Sequence, residues 1–195
     1  MTNSFHGLAE LVLAGPQYRR SGTIRLRVTP AGFATVAAPD VQAEADALVV
    51  DGRRIPYAGQ TYAELAAAAG LDAGVAEGVY KDHSGAQPGD RFVPTGAATI
   101  LGALAAGDAA LRSFAPDATP VLWPEHFDVG ISLDEVNYGV STGDTAIAEP
   151  YAYVGPWTPR EGDFWNVPFG AARPLSALGD AAAVAAFFAE GRAAA

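Results

Sequence analysis

From Val121 to Leu133 the chain alternates. The odd positions Val121, Trp123, Phe127, Val129, Ile131 and Leu133 are apolar and only Glu125 breaks the series. The even positions run Leu122, Pro124, His126, Asp128, Gly130 and Ser132. Successive side chains of a strand point to opposite faces, so this pattern predicts a strand over 121–133 with one face on a core. A second strand over 135–142 carries its apolar residues at Val136, Tyr138 and Val140. If Asp134-Glu135 is a two-residue turn, Leu133 meets Val136, Ile131 meets Tyr138 and Val129 meets Val140, and the apolar sets coincide. Asp-Glu is a poor type I′ turn sequence, which leaves a slip of one residue open. On the other face Ser132 then meets Asn137, Gly130 meets Gly139, and Asp128 meets Ser141. A third strand is predicted over 150–155.

The same reading covers the rest of the chain. Phe5, Leu8, Leu11 and Val12 are spaced for a helix over 5–13, capped by Ser4 and stopped by Gly15-Pro16. Ile24, Leu26 and Val28 alternate with Arg25 and Arg27 as a strand, and Phe33 to Val36 returns from the Pro30-Ala31-Gly32 turn. Ala47–Val50 and Arg53–Pro56 flank Asp51-Gly52, a strong hairpin signal. Thr61 and Glu64 form a capping box for a helix ending at Gly70. Residues 72–94 are irregular and long for a loop in a compact domain, a length that signals function or mobility. Helices are predicted over 97–114 and from Asp180 to Gly191, with an aromatic segment over 156–174 between the last strand and the last helix. The sum is an α+β fold: a largely antiparallel sheet flanked by three or four helices, one domain over 1–192 with a division into lobes 1–95 and 96–192 left open, and a frayed tail at 193–195.

Composition narrows the function classes. The chain has 195 residues, half of them hydrophobic, enough for one substantial core. Its 22 Gly and 14 Pro argue against a purely helical bundle. The formal net charge of −10 repels phosphate backbones and anionic lipid heads, and no basic patch offsets it. With no cysteine, disulfides, thiolate metal sites and cysteine nucleophiles are excluded. The N-terminus has no basic region before its short apolar run and does not read as a signal peptide, and no apolar run of about 18 residues suggests a membrane span. The expected setting is cytoplasmic. Nucleic acid and membrane are not expected as partners, a small-molecule ligand is, and a homodimer is left open.

The polar face of the 121–142 hairpin is the candidate site. His126 and Asp128, two apart on one strand, would lie roughly 7 Å apart at Cα, close enough for the carboxylate to orient the imidazole for acid–base work. The competing reading is a structural hydrogen bond at a strand end. Glycines at 130 and 139 admit a ligand close to backbone, or instead another backbone or an aromatic ring. Ser141, Asp144, Glu149, Tyr151 and Tyr153 are the candidate ligand-binding residues, Trp157 and Trp165 a candidate wall, and the loop after Ser141 a candidate cover. No histidine follows His126, so a two-His, one-carboxylate metal centre lacks a ligand, and no metal or cofactor is expected. Gly139-Val140-Ser141-Thr142-Gly143 has the letters of a nucleophile elbow, but no helix follows it. No phosphate-binding glycine motif is present. His83 lies in a polar loop and reads as exposed.

Three ordered motifs in this region, Trp123-Pro124-Glu125-His126-Phe127-Asp128, Gly139-Val140-Ser141-Thr142-Gly143-Asp144 and Glu149-Pro150-Tyr151-Ala152-Tyr153-Val154, resemble those of an actinobacterial-type family of domains of unknown function. The resemblance spans about residues 120–192, including the aromatic segment and helix from Phe164 to Arg192. It implies that the cluster is a real unit and implies no reaction. Two functions follow from the residues: a small-molecule pocket with His126 as acid/base oriented by Asp128, or a non-catalytic structural or interaction module in which the same residues form a buried polar network.

Overall fold

In the computed structural model of the chain, which describes residues 4–81 and 83–195, the alternating segments form antiparallel sheet and the helical spacings form helix. The α+β class holds. Two units divide the chain, Met1–Leu101 with Leu122–Phe127, and Gly102–Val121 with Asp128–Ala195.

The first unit is built around its N-terminal helical run: α1 (Ser4–Leu8), a π-helical turn (Ala9–Ala14) and α2 (Gly15–Ser21). Ser4 is the first described helical residue and not a cap, and Gly15-Pro16 does not stop the helix. The Gly15 N–H bonds the Glu10 carbonyl, five residues back, and Pro16 then falls in the first turn of α2, where its missing N–H is tolerated. Gly15 is also required sterically, since a Cβ there would lie 2.8 Å from the Gly74 carbonyl carbon. Residues from Gly7 to Gln17 are buried on every side. Gln17 spends its whole side-chain amide on backbone, donating to the Thr23 and Arg25 carbonyls at 2.9 and 2.8 Å and accepting from the Val36 and Ala37 amides at 2.7 and 2.9 Å.

Five hairpin-linked strands follow, β1 (Leu26–Thr29), β2 (Gly32–Thr35), β3 (Val41–Glu44), β4 (Ala47–Val50) and β5 (Arg53–Pro56), and then α3 (Tyr62–Ala68). With β6 (Val121–Trp123) the order is β6-β1-β2-β3-β4-β5, every pairing antiparallel. The Asp51-Gly52 hairpin forms as expected, with φ of 49° and 78°. The capping box of α3 forms in both halves. Strand β3 was not anticipated, because its inward residues are only Val41 and Ala43. Phe5, Phe33, Tyr57 and Phe92 interlock at the core, edge to face or tilted.

The second unit holds a sheet in the order β10-β9-β8-β7. Its strands are β7 (Asp128–Leu133), β8 (Val136–Ser141), β9 (Tyr151–Pro156) and β10 (Ala171–Pro174). The hairpin register is the one read from the sequence, from Asp128↔Ser141 to Leu133↔Val136, and Asp134 and Glu135 both adopt left-handed φ, 53° and 62°. The apolar face is covered by helix. Gly107 of α4 (Ala97–Phe114) sits so close that a Cβ would lie 2.7 Å from both Val129 and Val140. Phe114 and Phe188 pack on Tyr138.

A short helix, α5 (Leu175–Leu178), precedes α6 (Ala181–Ala194), which Asp180 caps through the Ala183 amide at 2.8 Å. Two expectations need correction here. Helix α6 does not end at Gly191 but continues to Ala194; Gly191 packs so closely on Val154 that a Cβ there would lie 2.7 Å from Val154 Cγ2. Strand β10 lies within the segment read only as aromatic. Asn166 lines its open edge, donating to the Ala172 carbonyl at 3.0 Å and accepting from the Ala172 amide at 2.9 Å. No helix among the described residues is long and apolar enough to cross a membrane.

Candidate functional site: the polar face of strands β7 to β9

The register places the polar residues in rows. Asp128, Ser141 and Tyr151 are neighbours across β7, β8 and β9, and Gly130, Gly139 and Tyr153 form the next row. The Tyr153 ring lies against both glycines. A Cβ on Gly139 would come 2.6 Å from its Cζ, and one on Gly130 would come 3.1 Å from its hydroxyl. The ring therefore covers the glycine floor, and its hydroxyl donates to the buried Asp128 carboxylate. Of the two uses of a glycine floor, an open approach for a ligand or a seat for an aromatic ring, the second is the one realised. Desolvation and the Asp128 charge hold the Tyr153 phenol well above its ordinary range.

The next pair fixes the loop. Tyr151, buried, donates to Asp144 Oδ2 at 2.6 Å, and Ser141 also bonds its hydroxyl. Asp144 Oδ1 accepts the Ala146 and Ile147 amides at 2.7 and 2.9 Å, while the Asp144 amide donates to the Ile147 carbonyl at 2.8 Å. The Gly143 amide returns to Ser141 Oγ at 3.1 Å. Burial pushes the Asp144 carboxyl up, but the bonds from Tyr151, Ile147 and Ala146 outweigh it and hold the group below its ordinary value. Burial first, and the Asp144 bond second, push the Tyr151 phenol up.

Asp128, Ser141, Asp144, Tyr151 and Tyr153 are thus brought together. Glu149 is engaged elsewhere, accepting the Ser176 hydroxyl of α5 at 2.6 Å. His126 is the main departure from the sequence reading. Residues 124–127 form a turn between β6 and β7, Phe127 has a φ of 51°, and His126 is exposed. The extended parity of 121–133 stops at Trp123 and restarts at Asp128, so His126 and Asp128 are not alternate residues of one strand. Pro124, which cannot donate to a ladder, and Glu125, the break in the apolar series, mark the interruption. Nor do the tryptophans wall a pocket: Trp157 is 63% exposed with its indole N–H on Asn137 at 3.2 Å, and Trp165 lies edge-on to Phe164.

A second polar cluster lies in the first unit, at residues that the sequence pattern does not single out as a site. Glu10, in the π-helical turn, is 1% exposed. Its carboxylate accepts the Ser84 hydroxyl and the Ser84 amide, the latter at 3.1–3.2 Å, and His6 Nε2 stands 3.5 Å away. The His6 ring stacks on Phe127, with its Nε2 3.1 Å from the Glu125 carbonyl. The signal available in the sequence was one charged residue inside the apolar run Ala-Glu-Leu-Val-Leu-Ala. Its partner was out of reach of any periodicity, 74 residues away in an irregular loop. His83, as expected, is exposed; Asp82 lies outside the described residues. Among the described residues no three His, Asp or Glu side chains are grouped to hold a metal. No family model matches the chain, and no curated protein and no solved structure matches it either.

Proposed function

We propose that this chain is a non-catalytic structural or interaction module, in which Asp128, Ser141, Asp144, Tyr151 and Tyr153 form a polar network that fixes loop 143–150 and the β7–β9 face. The observation that supports this reading is the position of Tyr153. Its ring takes the space a ligand would need above Gly130 and Gly139, and its hydroxyl occupies Asp128. A catalytic carboxylate has to be met by substrate or by an imidazole it orients, and His126 is exposed in a turn instead.

A thermal-shift screen against a metabolite panel and divalent metals, run on the wild type, His126→Ala and Tyr153→Phe, tests the reading. Tyr153→Phe should lower the melting temperature without any ligand, and His126→Ala should leave both the melting temperature and every ligand response in place. A metabolite-induced shift that His126→Ala abolishes would restore the acid–base pocket and sink the proposal.

A further inference from the structure

The first unit carries a cleft unrelated to the β7–β9 network. It is about 260 Å³, with Tyr62, Ser84, Ala86, Asp90 and Arg91 in its lining. That is just below the range of pockets for drug-sized molecules, so its occupant would have few heavy atoms. The hydrogen-bonding capacity left in the cleft is decided by where the protons of its hydroxyls already go. Ser84 Oγ–H is committed inward to the buried Glu10 carboxylate. Tyr62 Oη–H is committed to the Ser4 carbonyl at 2.9 Å. Ser84 Oγ already accepts the Ala86 amide at 3.2 Å and keeps one lone pair, so both oxygens meet a ligand as acceptors. Asp90 adds a carboxylate, with Oδ2 receiving the Gln87 amide at 2.8 Å. Three acceptors and a negative charge suit a primary ammonium group. Beside them Arg91, whose Nη1 is held by the Gly59 carbonyl, offers a guanidinium suited to a carboxylate.

The walls are set by backbone and close packing. The Tyr62 and Ala63 amides of α3 bond the Asp90 and Pro88 carbonyls at 3.1 and 2.8 Å, and the Phe92 amide bonds the Gln60 carbonyl at 2.9 Å. Gly7 of α1 leaves no slack beneath, since a Cβ there would lie 2.7 Å from both Ala86 Cβ and Tyr62 Oη. A fixed pair of opposite charges at a small cleft selects a molecule that carries both complements. We infer that this cleft binds a small amino acid zwitterion, the ammonium on Tyr62, Ser84 and Asp90 and the carboxylate on Arg91.

Isothermal titration of the whole chain with glycine, β-alanine and γ-aminobutyrate, and with butylamine and butyrate as single-charge probes, decides the matter. At least one zwitterion should give saturable heat, and each single-charge probe should bind at least about tenfold more weakly, as loss of one charge-assisted contact implies. Asp90→Asn and Arg91→Gln, both at exposed positions, should each weaken the zwitterion by a similar factor while the far-UV spectrum stays unchanged. Saturable heat from none of the three zwitterions overturns the site. Butylamine binding as tightly as the zwitterions, or indifference to Arg91→Gln, overturns the assignment of the carboxylate. His126 has no part in this cleft, so a zwitterion response that survives His126→Ala leaves the module reading standing.

Discussion

Gly139 and Tyr153 are interdependent: the ring can lie over the sheet only because the facing residue has no side chain. Gly139→Ala places a methyl group 2.6 Å from Tyr153 Cζ, so either the ring or the strand must move. Overpacking of this kind costs about 1–3 kcal/mol and should appear as a lower urea midpoint with an unchanged m-value. Gly139 has no positive φ, so crowding is the change that matters there; Gly89→Ala, also without a positive φ and with nothing within 4 Å of the added Cβ, gives the effect of a methyl group without crowding. Asp144 makes a pH prediction. Its folded-state carboxyl titrates below its ordinary value, so its contribution is present above that ordinary value and is lost as pH falls through the depressed one. Unfolding midpoints measured from pH 6 down to pH 2.5 should therefore fall more steeply for the wild type than for Asp144→Asn. Parallel curves would show that the Tyr151 and amide bonds add nothing.

At the level of elements, the long irregular segment 72–94 is tied down at intervals. The Gly74 amide bonds the Leu11 carbonyl of the π-helical turn at 2.9 Å, the Lys81 amide bonds Glu125 Oε1 at 3.0 Å, and Ser84 bonds Glu10. Ser84→Ala should leave a buried carboxylate short of a donor and raise amide exchange over 80–90 by at least about tenfold, measured by hydrogen–deuterium exchange. Unchanged protection would mean that the flanking backbone bonds hold the segment unaided. Asp180→Ala should cost about 1 kcal/mol through loss of the α6 cap.

Elements with strong local signals were legible in the sequence. The capping box at Thr61, the Asp51-Gly52 hairpin, the helix over 97–114 and the β7–β8 register rest on short-range chemistry and on the pairing of apolar faces. The interruption at 124–127 was not, because the parity of apolar residues resumes in phase on its far side. The helix through Gly15-Pro16 was missed for a related reason: local stop signals were overridden by a wide turn and by burial. Strands β3 and β10 carry too few large apolar residues to announce themselves. Within the candidate site, the side chains and their facing pairs on β7 and β8 were readable from period two. Which occupant would fill the glycine floor was not, since that depends on the placement of β9.

For the molecule as a whole, the antiparallel α+β plan and the acidic surface set the expectations. A net charge of −10 with no basic cluster predicts no retention on DNA-cellulose at about 50 mM salt, where electrostatic binding is strong; retention there would point to a basic surface hidden from the sequence. The central claim is that the polar residues of β7–β9 hold the fold and do not turn over a substrate. A double-mutant cycle on Tyr153→Phe and Asp128→Ala, read by urea unfolding, tests it most directly. The account predicts that each single variant loses about 1–3 kcal/mol and that the pair loses less than the sum by about 1 kcal/mol or more, because both remove the same bond. Additive losses with a coupling near zero would contradict it.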